Sequence, residues 1–429
     1  MHIFFVGEDI PFNGKSGSCI HGWTLIQYFL SAGHKVTAIV NPPGWEPDDR
    51  EAHIKILSSL GVRVVSLFDV SSYRPKRSKL LRILKPRIGD YYHTVYYRKE
   101  IRNVIEKYVE QLRPHIIVAF GIAAMCVTQH ITTTPRVAPI CENPFVWNFA
   151  MLRYKRNYFN PLDYLRYLKD IINSHRVLKR IISVYTACQI HGTVAKDFVE
   201  NFRRLGATHC KYYKAPYIDP VGENWRDLRE RAHAKNKKPK ILMIGMVGTA
   251  TYIHYKNFAD YILPRLEEKL GSDAFEVHLI GNVTIPGEFQ QKLNRPSVIV
   301  RGYVDDIAED FLSADLLLVP TPAQLASRAR IIVGLAYGCC VVTTIFEKNS
   351  RPELVHMENA LIANDIRELP ELIIKVINDE QLRKKIENNA RLTYEQNFVP
   401  EVAVREMEDD MKNIVKTFPY PEDYFICRK

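Results

Sequence analysis

The fold is decided by the stretch RGYVDDIAEDFLSADLLLVPTP (Arg301–Pro322) and by GLAYGCCVVTT (Gly334–Thr344), which follows shortly after it. Each stretch contains an apolar run of strand length, Leu316–Val319 in the first and Val341–Thr344 in the second. The residues between the two runs have a helical pattern, so the order predicts strand, helix, strand. Such units are typical of parallel sheets with helices on both faces.

The same alternation extends upstream through the second half of the chain. It predicts strands at Lys240–Ile244, Glu276–Ile280 and Val298–Val300. Downstream, Pro400–Val415 has the pattern of a helix with one polar face. The second half therefore predicts a doubly wound α/β domain over residues 240–399.

The first half has an equivalent series. It predicts a helix from Ser18 to Ala32, ended by Gly33, and strands at His2–Val6, His34–Val40, Arg63–Leu67, Ile116–Phe120, Val137–Ile140 and Ile181–Val184. Between the halves, Lys214–Pro239 contains three prolines and the polar run RERAHAKNKKP, which indicates a connection. We predict domains at 1–215 and 240–399, a linker at 216–239, and a helix at 400–415 that packs back on the first domain.

Composition excludes several classes of protein. With 429 residues, of which 46% are apolar and 25% charged, the chain is typical of a globular protein of two or three domains. The most apolar stretch, Ile331–Ile345, is broken by two glycines and two threonines, so no membrane span is expected. The start MHIFFVGEDI predicts no signal peptide. Eight scattered cysteines without a C-x-x-C pair predict a cytosolic protein with reduced thiols, Cys339 and Cys340 lying in the core.

Positive charge is concentrated in two segments of the first half. The chain carries a net charge of +11, yet Arg74–Arg102 has ten Lys and Arg against two acids, and Arg153–Arg180 has eight against two. Tyrosines and Phe159 are interleaved with these charges. An anionic membrane surface suits such segments, and a solvated helical face without a partner is the alternative. No nucleic-acid motif accompanies the charge, so we expect no nucleic-acid partner.

The candidate anion-binding positions of the first half match no established phosphate-binding motif. GKSGS (Gly14–Ser18) follows the first predicted strand and opens a helix, but it is neither G-x-G-x-x-G nor a Walker A loop. Gly17 and Ser18 could present backbone N–H groups to an anion on the acceptor side, or simply form a turn and N-cap. His191, in QIHG, is a candidate for the same side or a structural histidine.

In the second half, the strand ending at Ile244 runs into GMVGTATYIHYKN. The small residues Gly248 and Thr249 allow close approach of a ligand. Lys256 is expected at the start of the next helix, where it could hold a phosphate as a point charge.

The order of these motifs resembles that of GT-B glycosyltransferases, especially retaining family four. The strings that carry the resemblance are MIGMV, Lys256–Asn257, HLIGN (His278–Asn282), the two stretches quoted first, SGSCIHGWTLIQYFLSAGHKVTAIV, and QIHGTVAKDFVENFRRLGATHCKYYKAPYID. The resemblance implies two Rossmann-like domains facing across a cleft. It also implies transfer of a sugar from a UDP- or GDP-type donor to a glycan or lipid-linked acceptor, in polysaccharide or glycoconjugate synthesis in the cytoplasm or at the inner face of the plasma membrane.

The resemblance places the nucleotide diphosphate against one group of residues: Gly248, Thr249, Lys256, Gly281, Tyr303, Val304, Asp305, Arg328 and Arg330. An arginine fork matches phosphate oxygens bidentately, although Arg328 and Arg330 could also be a surface pair at a helix start. Asp305 and Asp306 are interpreted as a turn and helix N-cap. We expect no metal site and no cofactor, so positive side chains and helix N-termini must stabilise the leaving group.

The chain departs from the family at the donor sugar. Family four has two glutamates eight positions apart, where this sequence has Leu325 and Val333, and Met246 replaces the usual arginine. Glu142, in ICENPFVW, is the candidate general base of a direct displacement, or else a loop carboxylate that caps backbone N–H groups. The missing glutamates motivate one alternative, a catalytically inactive binding partner or scaffold. A further alternative is another GT-B-like enzyme or a nucleotide-sugar epimerase.

Overall fold

The computed structural model describes residues 1–7, 17–40, 47–66, 99–141, 146, 161–245, 249–281, 287–324 and 329–425. The chain divides into two compact units. The first combines Met1–Phe145, Phe159–Pro216 and Ala403–Lys429, and the second consists mainly of Tyr217–Val402.

The first unit is built on a parallel sheet. Its described strands are β1 (His2–Gly7), β2 (Lys35–Val40), β3 (Arg63–Ser66), β4 (Ile116–Phe120), β5 (Arg136–Ala138), β6 (Ile190–Thr193) and β7 (Lys211–Tyr212). They pair in parallel in the order β3-β2-β1-β4-β5-β6-β7. The described helices are α1 (Gly17–Ser31), α2 (Pro47–Ser59), α3 (Lys99–Leu112), α4 (Ile122–Thr128), α5 (Pro161–Thr186) and α6 (Lys196–Arg204).

The second unit repeats this architecture. After α7 (Trp225–His233), its described strands are β8 (Lys240–Ile244), β9 (Glu276–Ile280), β10 (Val298–Gly302), β11 (Leu316–Leu318), β12 (Val341–Thr344) and β13 (Leu361–Ala363). They pair in parallel in the order β10-β9-β8-β11-β12-β13. The helices are α8 (Thr249–Asn257), α9 (Leu263–Leu270), α10 (Gly287–Leu293), α11 (Ala308–Ser313), α12 (Ala329–Ala336), α13 (Ile345–Ser350), α14 (Leu369–Asn378), α15 (Glu380–Asn397) and α16 (Pro400–Ala403).

Both sheets have the strand order of a doubly wound fold. Every residue of β1 and β4 is buried, because helices cover both faces of a parallel sheet. The order of strands reverses between β1 and β4, and again between β8 and β11. Ligands of such sheets bind outside the carboxyl ends of the strands at these reversal points. The predicted α/β class, with two Rossmann-like units, is confirmed.

One predicted strand is wrong. Ile181–Val184 belongs to the end of α5, and the strand of this region is β6 instead. Ile181, Ile182 and Val184 are buried, so the apolar run is the inward face of a helix. Short apolar runs do not separate a strand from a buried helix segment.

The described cysteines are all buried, and none of them forms a disulfide. Cys339 and Cys340 are completely buried, so their predicted place in the core is confirmed. Within the described ranges, no helix combines the length and the hydropathy that a bilayer span requires.

The C-terminal helix α17 (Arg405–Thr417) completes the core of the first unit. Met407 and Met411 join the apolar cluster that contains Phe29 of α1. Beside them, buried Glu408 accepts hydrogen bonds from Tyr28 Oη and His34 Nε2, both at 2.8 Å. Residues at opposite ends of the sequence therefore share one buried polar contact.

Hydrogen bonding sets the charge state of Glu408. Burial by itself would raise the pKa of this carboxyl, but hydrogen bonds from Lys412, Tyr28 and His34 outweigh burial and lower the pKa. A lowered folded pKa stabilises the protein above the unfolded value of ~4.3, and the stabilisation is lost as the pH falls through the folded value.

We expect Glu408→Gln to lower the free energy of unfolding by about 1–3 kcal/mol near neutral pH, because charge-assisted hydrogen bonds are lost. The difference from wild type should shrink as the pH falls below the ordinary glutamate range. Denaturant unfolding over a pH series measures both effects. Asp409→Asn is the control, since it removes a carboxylate from the exposed side of the same helix. A pH-independent difference would contradict this account.

Candidate functional site

The carboxyl end of β8 lies at the reversal point of the second sheet. Gly245 follows β8 with φ +138°, and its N–H donates to Ile280 O at the end of β9 at 2.8 Å. Gly281 has φ +134° and donates to Gly302 O at 2.8 Å. Glycine tolerates these angles, which other residues rarely adopt. The backbone leaving three adjacent strands is thus held together in one place.

Arg330 fills the space beside Gly245. It lies in the first turn of α12 and donates from Nη1 to Ile244 O. A Cβ added to Gly245 would come within 2.9 Å of Arg330 Nη2 and 3.1 Å of its Cζ. The absence of a side chain at position 245 therefore permits the guanidinium to lie against the end of β8.

Arg330 remains positively charged in its surroundings. Burial lowers its pKa, and the nearby Tyr255 and Glu347 oppose that effect. An arginine remains protonated through such shifts. Tyr255 Oη donates to Gly245 O at 3.3 Å, and burial raises the pKa of Tyr255 to about 12, so its hydroxyl stays neutral. A positioned guanidinium at a strand end suits a phosphate ligand.

A buried polar network lies at the carboxyl ends of β11 and β12. The Thr321 hydroxyl donates to Glu347 Oε1 at 2.8 Å and accepts from His254 Nε2 at 3.2 Å. Arg351 Nη1 donates to Glu347 Oε2 at 2.9 Å. All four side chains are at most 1% exposed. The network joins α8, the end of β11 and α13, and so fixes the floor of the region beside Arg330.

Lys256 differs from its predicted placement. It lies in the last turn of α8 rather than at a helix start, because that helix already begins at Thr249. Its ammonium pairs with Asp260, which also accepts from Lys292 Nζ at 2.5 Å. Burial would raise the pKa of Asp260, but the two lysines outweigh it and lower the pKa. Two cations share one carboxylate here, so the cluster keeps a net positive charge.

The predicted residues after β10 lie next to the glycine turns. The bond between Gly281 and Gly302 brings this loop beside the end of β9. Tyr303 is 68% exposed, Asp305 is exposed and Val304 is half-buried. Their exposure leaves them accessible to a ligand.

Asp306 forms a turn rather than the predicted N-cap. Its carboxylate accepts from Ala308 N at 2.8 Å, but the N-cap of α11 is Ile307. Among the residues that the structure describes, no group of three or more His, Cys, Asp or Glu side chains is arranged to hold a metal ion.

Several predicted site residues lie outside the described residues: Glu142, Gly248 and Arg328. The backbones of Ser18 and Thr249 are described as parts of α1 and α8, but their side chains are not. The residues that the structure brings together are therefore Gly281, the loop at Tyr303–Asp305, and Arg330.

Of the residues predicted for the acceptor side, Gly17 opens α1, and His191 lies within β6. The His191 ring is buried, with Nδ1 3.3 Å from Cys188 O and its centroid 4.8 Å from that of Tyr185. Burial lowers the pKa of His191, so the ring is neutral near physiological pH. These contacts favour the structural interpretation of this histidine.

Sequence reasoning missed Tyr255, Thr321, Glu347 and Arg351. A signal was available for two of them, because Thr321 and Glu347 come two or three residues after predicted strands, where ligands of parallel sheets bind. The spacing of Glu347 and Arg351 is also that of a helical ion pair. Their burial depends on packing that the sequence does not display.

Residues 238–379 match the family model described as "Glycosyl transferases group 1". No sequence among the curated proteins is detectably similar to the chain.

Solved structures are similar over nearly the whole chain. Anabaena HepE in complex with UDP has a TM-score of 0.64 at 14% identity, covering 96% of this chain and 100% of that one. Sucrose-phosphate synthase from Thermosynechococcus elongatus has a TM-score of 0.69 at 12% identity, covering 97% and 100%. WaaG, a glycosyltransferase involved in lipopolysaccharide biosynthesis, has a TM-score of 0.59 at 14% identity, covering 98% and 100%. The predicted resemblance and the GT-B fold are confirmed.

We expect Glu347→Gln to lower the free energy of unfolding by about 3–5 kcal/mol, because the buried Arg351 guanidinium loses the Glu347 carboxylate. Adding Arg351→Met should recover much of that loss, since the buried guanidinium is then removed as well. Thermal unfolding of the three proteins measures both effects.

Glu380→Gln is the matched control for this prediction. Glu380 pairs with Lys384 at 2.8 Å with the same helical spacing, but both side chains are exposed. Its loss should leave the melting temperature unchanged. Equal effects of the buried and the exposed substitution would contradict the importance of the network.

Proposed function

We propose that this protein is a glycosyltransferase that moves a sugar from a nucleotide-sugar donor to a glycan or lipid-linked acceptor. The observation that carries the proposal is Arg330, which lies at the reversal point of the second sheet and inside the segment matched by the glycosyltransferase family model. The HepE structures with UDP and with UDP-glucose make UDP the first nucleotide to test.

The reaction produces a negatively charged leaving group, the nucleoside diphosphate. The bond between the anomeric carbon and the diphosphate oxygen breaks as the acceptor oxygen bonds to that carbon, and negative charge develops on the diphosphate. A guanidinium already fixed by Ile244 O and Gly245 would stabilise this charge without reorganising during the reaction. We propose Arg330 in that role, with no metal ion or cofactor required.

The remaining donor contacts follow from the layout of the strand ends. We propose that the nucleoside lies near Gly281 and Tyr303–Asp305, since this loop is exposed beside the glycine turns. Lys256 would contribute to the diphosphate through the net positive cluster that it forms with Asp260 and Lys292.

For the acceptor, we propose a direct displacement with Glu142 as the general base. The carboxylate would take the acceptor hydroxyl proton as the new bond to the anomeric carbon forms. A lipid-linked or envelope glycan is the acceptor class proposed, with the protein working in the cytoplasm or at the inner face of the plasma membrane.

A second candidate is a binding partner or scaffold without catalytic activity. One observation favours it: Val333, where the resemblance expects the second family glutamate, is a buried residue of α12 that is only 5% exposed. An apolar side chain cannot hold the hydroxyls of a donor sugar. Release of nucleoside diphosphate on mixing with donor and acceptor distinguishes the enzyme from the scaffold.

The donor site can be tested through the contact between Gly245 and Arg330. A panel of nucleoside diphosphates in thermal shift first identifies the base, since ligand at 100 times its Kd stabilises by about 2.7 kcal/mol. We expect Arg330→Ala to weaken binding of that nucleotide by about tenfold to a hundredfold, as charged hydrogen bonds are lost. Gly245→Ala should weaken it similarly by displacing the guanidinium.

The double variant gives the decisive comparison by calorimetry. If Gly245→Ala acts through Arg330, it should add little in the Arg330→Ala background. Gly271→Ala is the matched control, because Gly271 also has positive φ but no atom within 4 Å of an added Cβ. Full nucleotide affinity in Arg330→Ala would remove this residue from the site.

The catalytic proposal predicts that Glu142→Gln lowers turnover by about 10²–10⁴-fold, the usual cost of losing a general base. Donor affinity should be nearly unchanged, because the amide keeps size and hydrogen bonding. Glu200→Gln, an exposed carboxylate of the same unit, is the control. Near-normal turnover, or retention of anomeric configuration by NMR, would count against the displacement.

A further inference from the structure

Helix α5 exposes three large apolar side chains. Leu165 is 59% exposed, Leu168 is 42% exposed and Ile172 is 72% exposed. They are spaced by three and four residues, so they lie on one face of the helix. Single exposed apolar residues are common on protein surfaces, but an aligned row of three is not.

Positive charge continues from the same face of the helix. Lys179 follows Ile172 by seven residues and so lies on that face, and both Lys179 and Arg180 are exposed. Within Pro161–Thr186 there are five Lys and Arg and two Asp.

The opposite face of α5 packs into the core of the first unit. Ile181, Ile182 and Tyr185 are buried, and Tyr185 packs its ring against Phe202 at 5.3 Å between centroids. The helix is therefore anchored by one face, and its outer face presents a row of apolar residues that is followed by the exposed cations Lys179 and Arg180.

We propose that this outer face of α5 docks on an anionic lipid bilayer. The apolar row would insert at the level of the headgroups while the flanking lysines and arginines contact lipid phosphates. Two anchoring signals of this kind are what stable peripheral attachment needs. The surface does not depend on the proposed transfer reaction, since it is tested without donor or acceptor.

Charge complementarity favours a bilayer over other occupants. A second copy of the chain would bring two positive faces together, which like-charge repulsion disfavours. A protein partner with a groove would need acids arranged around an apolar strip, whereas an anionic bilayer provides negative charge and an apolar layer over its whole area.

The test is sedimentation of the full chain with vesicles. Wild type should bind vesicles of phosphatidylcholine with phosphatidylglycerol, bind poorly to phosphatidylcholine alone, and be released at about 1 M salt, where the Debye length is ~3 Å. The combined variant Leu165→Gln, Leu168→Gln, Ile172→Gln should bind at least about tenfold more weakly even at low salt. Lys179→Gln with Arg180→Gln should bind severalfold more weakly and lose part of the salt dependence.

Matched variants elsewhere separate this face from general surface effects. Ile56→Gln with Leu60→Gln removes another exposed apolar pair of the same unit, and Arg231→Gln with Lys237→Gln removes two exposed cations of the second unit. Both should bind vesicles like wild type.

Three results would overturn the proposal. They are failure of wild type to bind anionic vesicles at low salt, unchanged binding by the apolar variant, and conversion of a dimer to a monomer by that variant. The last result would assign the face to a second copy of the chain. None of these results alters nucleotide binding, so the transferase proposal is judged separately.

Discussion

Parallel pairing of strands that are buried on both faces is the constraint on which both units depend. Strands such as β1 and β4 are apolar along their whole length because helices cover each side of the sheet. Polar chemistry is therefore confined to the strand ends. In the second unit, the reversal of strand order between β8 and β11 determines which strand ends can bind a ligand. Gly245 and Thr321 follow these two strands.

The charged residues at the amino ends and at the carboxyl ends of the strands in the second sheet have different roles. At the amino ends, Lys240 Nζ pairs with Asp310 at 3.0 Å, and its backbone N–H donates to Asp315 at 2.8 Å. Asp315 also pairs with Arg383 at 3.0 Å, so these buried charges are neutralised by one another. At the carboxyl ends, Arg330 is bound by a backbone carbonyl instead, which leaves its positive charge available to an anion. The first end maintains the fold, and the second is suited to a ligand.

Fold similarity alone does not assign a reaction, because one fold supports many activities. The proposed sugar transfer therefore depends on a particular side chain, the Arg330 guanidinium positioned by Gly245. The outer face of α5 is a separate feature that concerns where the protein works rather than what it catalyses. Charge and apolar spacing on one helix face define it without reference to the donor site.

The sequence by itself determined the α/β class, the two-unit organisation and most strands, because alternating apolar runs and helical spacing are local properties. It also indicated Arg330 through motif order. The tertiary structure decided what local pattern leaves ambiguous. Ile181–Val184 is helical because its apolar residues pack inward from α5, a choice that depends on neighbours distant in sequence. Likewise, packing pairs Thr321 with Glu347 and Tyr28 with Glu408, which are 26 and 380 positions apart. Hydrogen bonds between such residues exist only once the sheets are assembled, so no local pattern encodes them.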